Sequence, residues 1–224
     1  MRCLHHMPLS PFCRKVRLVM REKGLDFQLV PHNPWSDTND LIKLNHACQV
    51  PVLVEDDQES TTIADSTAIV EYLEEIYPEV EMMPSNPIDR AEVRRLCQWF
   101  DNKFFYEVTF PILREKFYKR FIVKEIPDSI SIRYSAHNIK LHIKYISWLL
   151  YRRNWLAGSN LSLADISAAS QLSVVDYFSS VPWNETAIAK QWYSRIKSRP
   201  TFRELLNEYI SGIPMPEHYP NLDF

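Results

Sequence analysis

Cys3-Leu4-His5-His6-Met7-Pro8-Leu9-Ser10-Pro11-Phe12-Cys13-Arg14-Lys15-Val16 is the stretch on which the reading of this chain turns. Cys3 to His6 is short and extended, Pro8 interrupts it, and Phe12, Val16, Val19 and Met20 then recur at helical spacing. Ser10 stands at the N-cap position, and Pro11 follows at the first helical position, where its missing N–H costs nothing. Gly24 ends the helix. A strand that passes into a helix through such a turn presents one hydroxyl beside the first backbone N–H groups.

Working outward, Phe27 to Val30 is a second strand, and the segment from Asn33 to Asn45 has room for one short helix at most. Val52 to Glu55 and Thr61 to Ile63 flank the turn at Asp56-Asp57. Asp65-Ser66 opens a helix with Ile69, Tyr72, Leu73 and Ile76 on one face. The order over residues 1–77 is β-α-β-α-β-β-α, an α/β domain. Residues 78–87 hold Pro78, Pro84 and Pro87 and read as a linker. Residues 88–212 read as an all-α bundle, with long apolar helices from Ile88 to about Phe110 and from Ser129 to about Tyr151. Leu161-Ser162-Leu163-Ala164-Asp165-Ile166 places Ser162 at an N-cap and Asp165 at N3, a capping box flanked by a hydrophobic staple. The small residues Ala168, Ala169 and Ser173 beyond it place that helix at the centre of the bundle. Residues 213–224, with Pro214, Pro216 and Pro220, form an extended tail.

The totals exclude several classes. With 224 residues, 46% apolar and a net charge of −2, the chain can bury large cores and shows no bias toward nucleic acid or an anionic membrane. No stretch approaches the roughly 20 apolar residues of a spanning helix, and no basic start leads into an apolar signal core, so a cytoplasmic protein is expected. Three glycines leave no phosphate-cradling loop. The four cysteines, Cys3, Cys13, Cys48 and Cys97, lack metal-site or disulfide-framework spacing, and no metal is expected.

Four motifs, Ser10-Pro11-Phe12-Cys13, Val50-Pro51, Asp65-Ser66 and Ser162 to Asp165, resemble the glutathione S-transferase superfamily, as does Trp192-Tyr193-x-Arg195-Ile196-x-x-Arg199-Pro200-x-Phe202. The resemblance covers nearly the whole chain. It implies a thioredoxin-like N-terminal domain, an all-helical C-terminal bundle, a homodimer, and glutathione as co-substrate or ligand. Ser10 would be the catalytic hydroxyl, and Gln49, Val50, Pro51, Asp65, Ser66 and Lys43 would line the glutathione site, with His46 near its glycine end. The chemistry fits these residue types. A thiol with its pKa near 8.5 is a poor nucleophile at neutral pH. A hydroxyl donating to the thiolate stabilises it by about 1.5–3 kcal/mol, and a helix N-terminus adds about 0.3–1 kcal/mol. Asp65 and Ser66 offer a carboxylate, a hydroxyl and helical N–H groups to a γ-glutamyl end. The bland alternatives are that Ser10 and Asp65 are plain helix caps. Ser10 stands where a glutaredoxin carries its nucleophilic cysteine, and Cys13 at the inward second position, so Cys13 is either a redox thiol or core packing.

The two ends narrow the resemblance to transferase-like division proteins of alphaproteobacteria, carried by His5 to Leu18 and by His218-Tyr219-x-x-Leu222-Asp223-Phe224. That branch implies binding to the tubulin-like protein FtsZ and to other division proteins. Trp35, His218, Tyr219, Leu222, Asp223 and Phe224 are then the candidate partner contacts. For Trp35 the alternative is core packing, and for the tail a frayed terminus. Conjugation of glutathione to small electrophiles and thiol oxidoreduction through Cys13 are the second and third functional readings.

Overall fold

A computed structural model describes the chain except residues 34–38, 59, 223 and 224, and the side chain of Asn39. The candidate contacts Trp35, Asp223 and Phe224 lie outside the described residues. The chain divides into two compact units, Met1–Met82 and Met83–Phe224, a division that falls within the proline-bearing stretch 78–87.

In the first unit the elements are β1 (Cys3–His6), α1 (Pro11–Glu22), β2 (Gln28–Pro31), α2 (Asn39–Leu44), β3 (Val52–Val54), β4 (Thr62–Ala64) and α3 (Ser66–Ile76). The sheet order is β2-β1-β3-β4; β1 and β2 are parallel, and the other two pairs are antiparallel. A parallel neighbour needs a crossover helix, which α1 supplies. Leu4, Val52 and Leu53 from the sheet, Val16, Val19 and Met20 from α1, and Ile69 and Leu73 from α3 fill the core. Gly24 closes α1 at φ +68°, where the Leu25 N–H returns to the Met20 carbonyl at 2.9 Å. Lys23 pairs with Glu74 at 2.8 Å and donates to the Tyr77 and Val80 carbonyls, which fixes the chain as it leaves α3.

In the second unit one helical rod runs from Pro87 to Val123. It begins as α4 (Pro87–Gln98), widens to π-helical turns over Trp99–Thr109, passes through α5 (Phe110–Leu113), widens again over Arg114–Val123, and ends at Lys124 with φ +58°. The sequence alone suggests an end near Phe110, because Pro111 follows. The rod continues because the Phe110 N–H already reaches five residues back, to the Phe105 carbonyl. Four residues before the proline, which cannot donate, the Glu107 carbonyl takes the Asn138 side-chain N–H at 3.3 Å. The remaining elements are α6 (Ser129–Leu150), α7 (Leu163–Tyr177), α8 (Ala187–Lys197), a 3₁₀ turn (Pro200–Phe202) and α9 (Arg203–Leu206).

All fifteen residues of α7 are buried, and the rod packs along it. At its start the Asp165 carboxylate accepts four hydrogen bonds. Oδ2 takes the Ser162 N–H at 3.1 Å and the Ser162 hydroxyl at 3.0 Å; Oδ1 takes the Leu156 N–H and the Trp192 Nε1–H, both at 2.9 Å. Asp165 is 0% exposed, and its burial pushes the carboxyl pKa up against these four donors. No helix among the described residues is long and apolar enough to cross a membrane.

Asp165→Ala strips a helix cap, worth about 1 kcal/mol, and leaves buried donors unpaired at about 1–3 kcal/mol each. A loss of roughly 3 kcal/mol or more in urea unfolding is expected, and an unchanged midpoint would refute the role.

Candidate functional site

Three segments meet at one end of the sheet. His5 pairs with Val52, and Val52 with Ala64, so these residues form one row across β1, β3 and β4. Because β3 runs opposite to both neighbours, the exit of β1, the entry of β3 and the exit of β4 share an edge. Ser10 follows the first, Pro51 precedes the second, and Asp65-Ser66 follows the third. The topology thus gathers three of the four candidate motifs, together with the N-termini of α1 and α3.

Each segment has a local cause. Ser10 caps α1 from an extended conformation, its Oγ accepting the Cys13 N–H at 3.3 Å. Among the described residues no acceptor takes the Ser10 hydroxyl hydrogen, so the capping role leaves that hydrogen available to a thiolate. Ser10 itself is largely buried. The Val50–Pro51 peptide bond is cis, and Pro51 is buried. Asp65 is exposed and caps α3, Oδ1 accepting the Thr67 N–H at 2.7 Å and the Ala68 N–H at 3.2 Å. Its φ of +78° is a backbone region that favours glycine. A non-glycine residue held there costs of order 1–3 kcal/mol, and such strain concentrates at functional sites. Ser66 is buried at the first helical position. Gln49 is exposed, and its carbonyl accepts the Asn45 Nδ2–H at 2.9 Å. Lys43 pairs with Asp40 at 3.0 Å on the surface, and His46 is exposed.

Cys13 is 0% exposed, and its sulfur accepts the Met7 N–H at 3.4 Å. Thiol–disulfide exchange needs a sulfur that a second sulfur can reach. Of the two readings of Cys13, the geometry supports core packing and not a redox or catalytic thiol.

The tail forms a second constellation. Tyr219 is fully buried, its hydroxyl donates to the Leu205 carbonyl at 3.3 Å, and its ring meets Tyr177 edge-on at 5.1 Å. Lys197, at the end of α8, donates to the carbonyls of His218 at 3.3 Å and Asn221 at 2.6 Å. Asp176 accepts from Trp183 Nε1 at 2.7 Å and pairs with His218 Nε2 at 3.0 Å. Burial holds Lys197 down to about 8, while Asp176 draws the His218 pKa up. The expectation that Tyr219 touches a partner is corrected: it is an anchor sealed inside its own unit. The tail up to Leu222 is tied down, not frayed. His218 and Leu222 remain partly accessible.

Residues 4–81 match the glutathione S-transferase N-terminal domain model, and residues 142–200 match the C-terminal domain model. FtsZ-localized protein A of Caulobacter vibrioides is 43% identical over 100% of this chain and 98% of its own length. The chain belongs to the glutathione S-transferase family. Among solved structures, a glutathione S-transferase from Rhodospirillum rubrum F11 superposes with a TM-score of 0.97 at 50% identity, with both chains fully covered. FzlA from C. crescentus superposes with a TM-score of 0.97 at 42% identity, over 100% of this chain and 99% of that one.

β1 leads directly into the Ser10 turn, and its end carries histidines to which sequence reasoning gave no chemistry. His5 Nδ1 and His32 Nε2 lie 2.7 Å apart, so one proton serves both. Burial lowers the His5 pKa, with His32 adding to the effect. Buried His6, whose Nδ1 has no hydrogen-bond partner, is held down to about 4 by burial, then by Arg17 and His32. In the unfolded chain His6 takes its proton near 6.5, so between those values the unfolded state binds more protons. Stability from this group is complete above about pH 6.5 and falls as pH drops toward 4, by roughly 3 kcal/mol in all. His218, with a raised pKa, acts in the opposite sense. Melting temperatures between about pH 7 and about pH 4.5 should fall more steeply for wild type than for His6→Leu; parallel slopes would exclude His6 as the cause.

Proposed function

We propose that this chain is an FtsZ-binding cell-division factor that works in the cytoplasm as a homodimer. The observation that carries this reading is whole-length similarity to a protein named for its localisation with FtsZ, at 43% identity with no large gap in coverage. The tail supports it. A family fold with bundle and sheet complete has no structural need for a proline-bearing extension, yet Lys197, Asp176 and Tyr219 spend buried polar groups on holding one in place. Such an investment fits a segment displayed for recognition, with the partly accessible His218 and Leu222 offered to the partner; Trp35, Asp223 and Phe224 are further candidate contacts. Tyr134, Leu141 and Trp148 recur every seventh residue along one exposed face of α6, a stripe suited to burial against a second copy.

A second reading, conjugation of glutathione to small electrophiles, is supported by Ser10, Pro51 and Asp65 sharing one sheet edge and by the strained backbone of Asp65. In it, Asp65 and Ser66 hold the γ-glutamyl end, the Val50 backbone pairs with the peptide, Gln49 and Lys43 face the glycine carboxylate, and Ser10 donates to the thiolate. Lys43 would first leave Asp40, an exposed pair of little strength.

Co-sedimentation with FtsZ polymers tests the first reading. The full chain should sediment with the polymer, and Asp223→Ala/Phe224→Ala should weaken this about tenfold or more with an unchanged melting temperature; absence of wild-type sedimentation would end the proposal. For the second, calorimetry with millimolar glutathione should show heat that Asp65→Ala reduces. Ser10→Ala should lower kcat/KM about tenfold to a hundredfold, and a wild type silent in both assays would remove it.

A further inference from the structure

The second unit contains a cavity of about 290 Å³ between the rod, the first turns of α6 and the loop that follows α7. This is at the small end of the range for small-molecule sites, roughly 300–1,000 Å³. Its walls are mixed, apolar at Val108 and Ile112 from the rod, Ile132 and Ala136 from α6, and Val175 and Val181 from α7 and its loop, with Ser135, Ser179 and Ser180 between them. Into this lining comes one cation, Lys116.

Three lysines on this rod and on α6 have carboxylate partners: Lys119 pairs with Glu115 at 2.8 Å, Lys103 with Glu107, and Lys140 with Glu185 at 2.7 Å. Lys116 pairs with no carboxylate among the described residues. Adjacent Glu115 is committed elsewhere, to Lys119 and to the Asp128 N–H at 2.7 Å. Instead of extending to solvent, as a lysine on an amphipathic helix ordinarily does, Lys116 turns inward. It donates to the Phe178 carbonyl at 3.1 Å and the Ser180 hydroxyl oxygen at 2.7 Å. Burial lowers its pKa, and no neighbouring charge opposes that shift.

Capping of α7 accounts for part of this arrangement, since Phe178 ends that helix and a cation is favourable there. It uses two of the three ammonium donors and leaves a net positive charge on a partly apolar wall, where charges are ordinarily paired. The hydroxyls do not change that sign. Ser180 Oγ donates to the Phe178 carbonyl at 3.0 Å and Ser135 Oγ to the Ser131 carbonyl at 3.0 Å, so the charged donor that remains for an anion is the ammonium, with the Ser179 hydroxyl also in the lining. The loop is held by its backbone. The Ser179 N–H returns to Asp176 at 2.9 Å and the Ser180 N–H to Val175 at 3.1 Å, with Ser179 at φ +51°.

We propose that this cavity binds a small monocarboxylic acid with an apolar body, its carboxylate on the Lys116 ammonium and its body against Val108, Ile112, Ile132 and Val175. A single cation matches a single negative charge. A phosphate dianion would need a second cation, which this lining does not supply, and a neutral apolar ligand would leave the ammonium unmatched.

Octanoate and octanamide, equal in shape and different in charge, are the probes, titrated into the ¹⁵N-labelled full-length protein. Octanoate should give saturable shifts at the amides of Val108, Ile112, Ala136 and Val175 at millimolar concentration or below. Octanamide should bind about tenfold to a hundredfold more weakly, the worth of one charge-assisted hydrogen bond. Lys116→Met, which keeps the stem, should erase that preference, and Ala136→Trp, which fills the mouth, should abolish both. Lack of saturable shifts with octanoate, equal binding of the two probes by wild type, or a preference that survives Lys116→Met would each overturn the proposal. The wild-type comparison stands without any variant, should Lys116→Met unfold.

Discussion

Asp165 is a carboxylate with no access to water, and the helical unit is organised around that fact. An ion sealed from solvent is tolerated only where its lone pairs are met. Here they are met by three different segments: the loop at Leu156, the N-cap at Ser162 and the indole of Trp192 on α8. Those segments have no direct covalent reason to meet. The requirement to satisfy one side chain fixes where α7 begins, how the preceding loop returns and which face of α8 turns inward. With α7 thus placed and lined by alanine and serine, the long rod can approach along it, and the hydroxyls of Ser170 and Ser173 bond back to their own helix.

The sheet imposes a comparable constraint in the first unit, through direction instead of charge. Reversal of β3 against β1 and β4 delivers two helix starts and one loop to a common edge, whatever the side chains there do. That shared edge makes the Ser10 turn, Pro51 and the Asp65-Ser66 pair a constellation. The backbone of Asp65 bears the cost of keeping a carboxylate at a position that suits glycine.

Much of this was legible in the sequence wherever a feature depends on neighbours along the chain. The Ser10-Pro11 start, the Gly24 stop and the Ser162–Asp165 box are local hydrogen-bond problems with local solutions, and the periodicity of Val16, Val19 and Met20 marks the buried face of α1 directly. What could not be read depends on partners distant in sequence. The rod passes Pro111 because Asn138 lies alongside. Tyr219 is an anchor and not a contact because Leu205 and Tyr177 enclose it. Lys116 stands out only once the absence of a carboxylate partner among the described residues is visible, and His6 only once Arg17 and the burial of β1 are in place. Cys13 carried two meanings in the sequence, and burial separates them.

The anchoring of the tail has a consequence for how recognition can operate. A peptide motif on a free terminus must surrender its conformational entropy each time it is bound, at about 1–2 kcal/mol for every backbone residue it orders. By burying Tyr219 and clamping the carbonyls of His218 and Asn221 to Lys197, folding has already met that cost for the base of the motif. What remains is a short reach from a fixed point. In the proposed role, recognition there would acquire the geometry of a surface while retaining the compact code of a peptide, and its strength would be tied to the integrity of the helical unit beneath it.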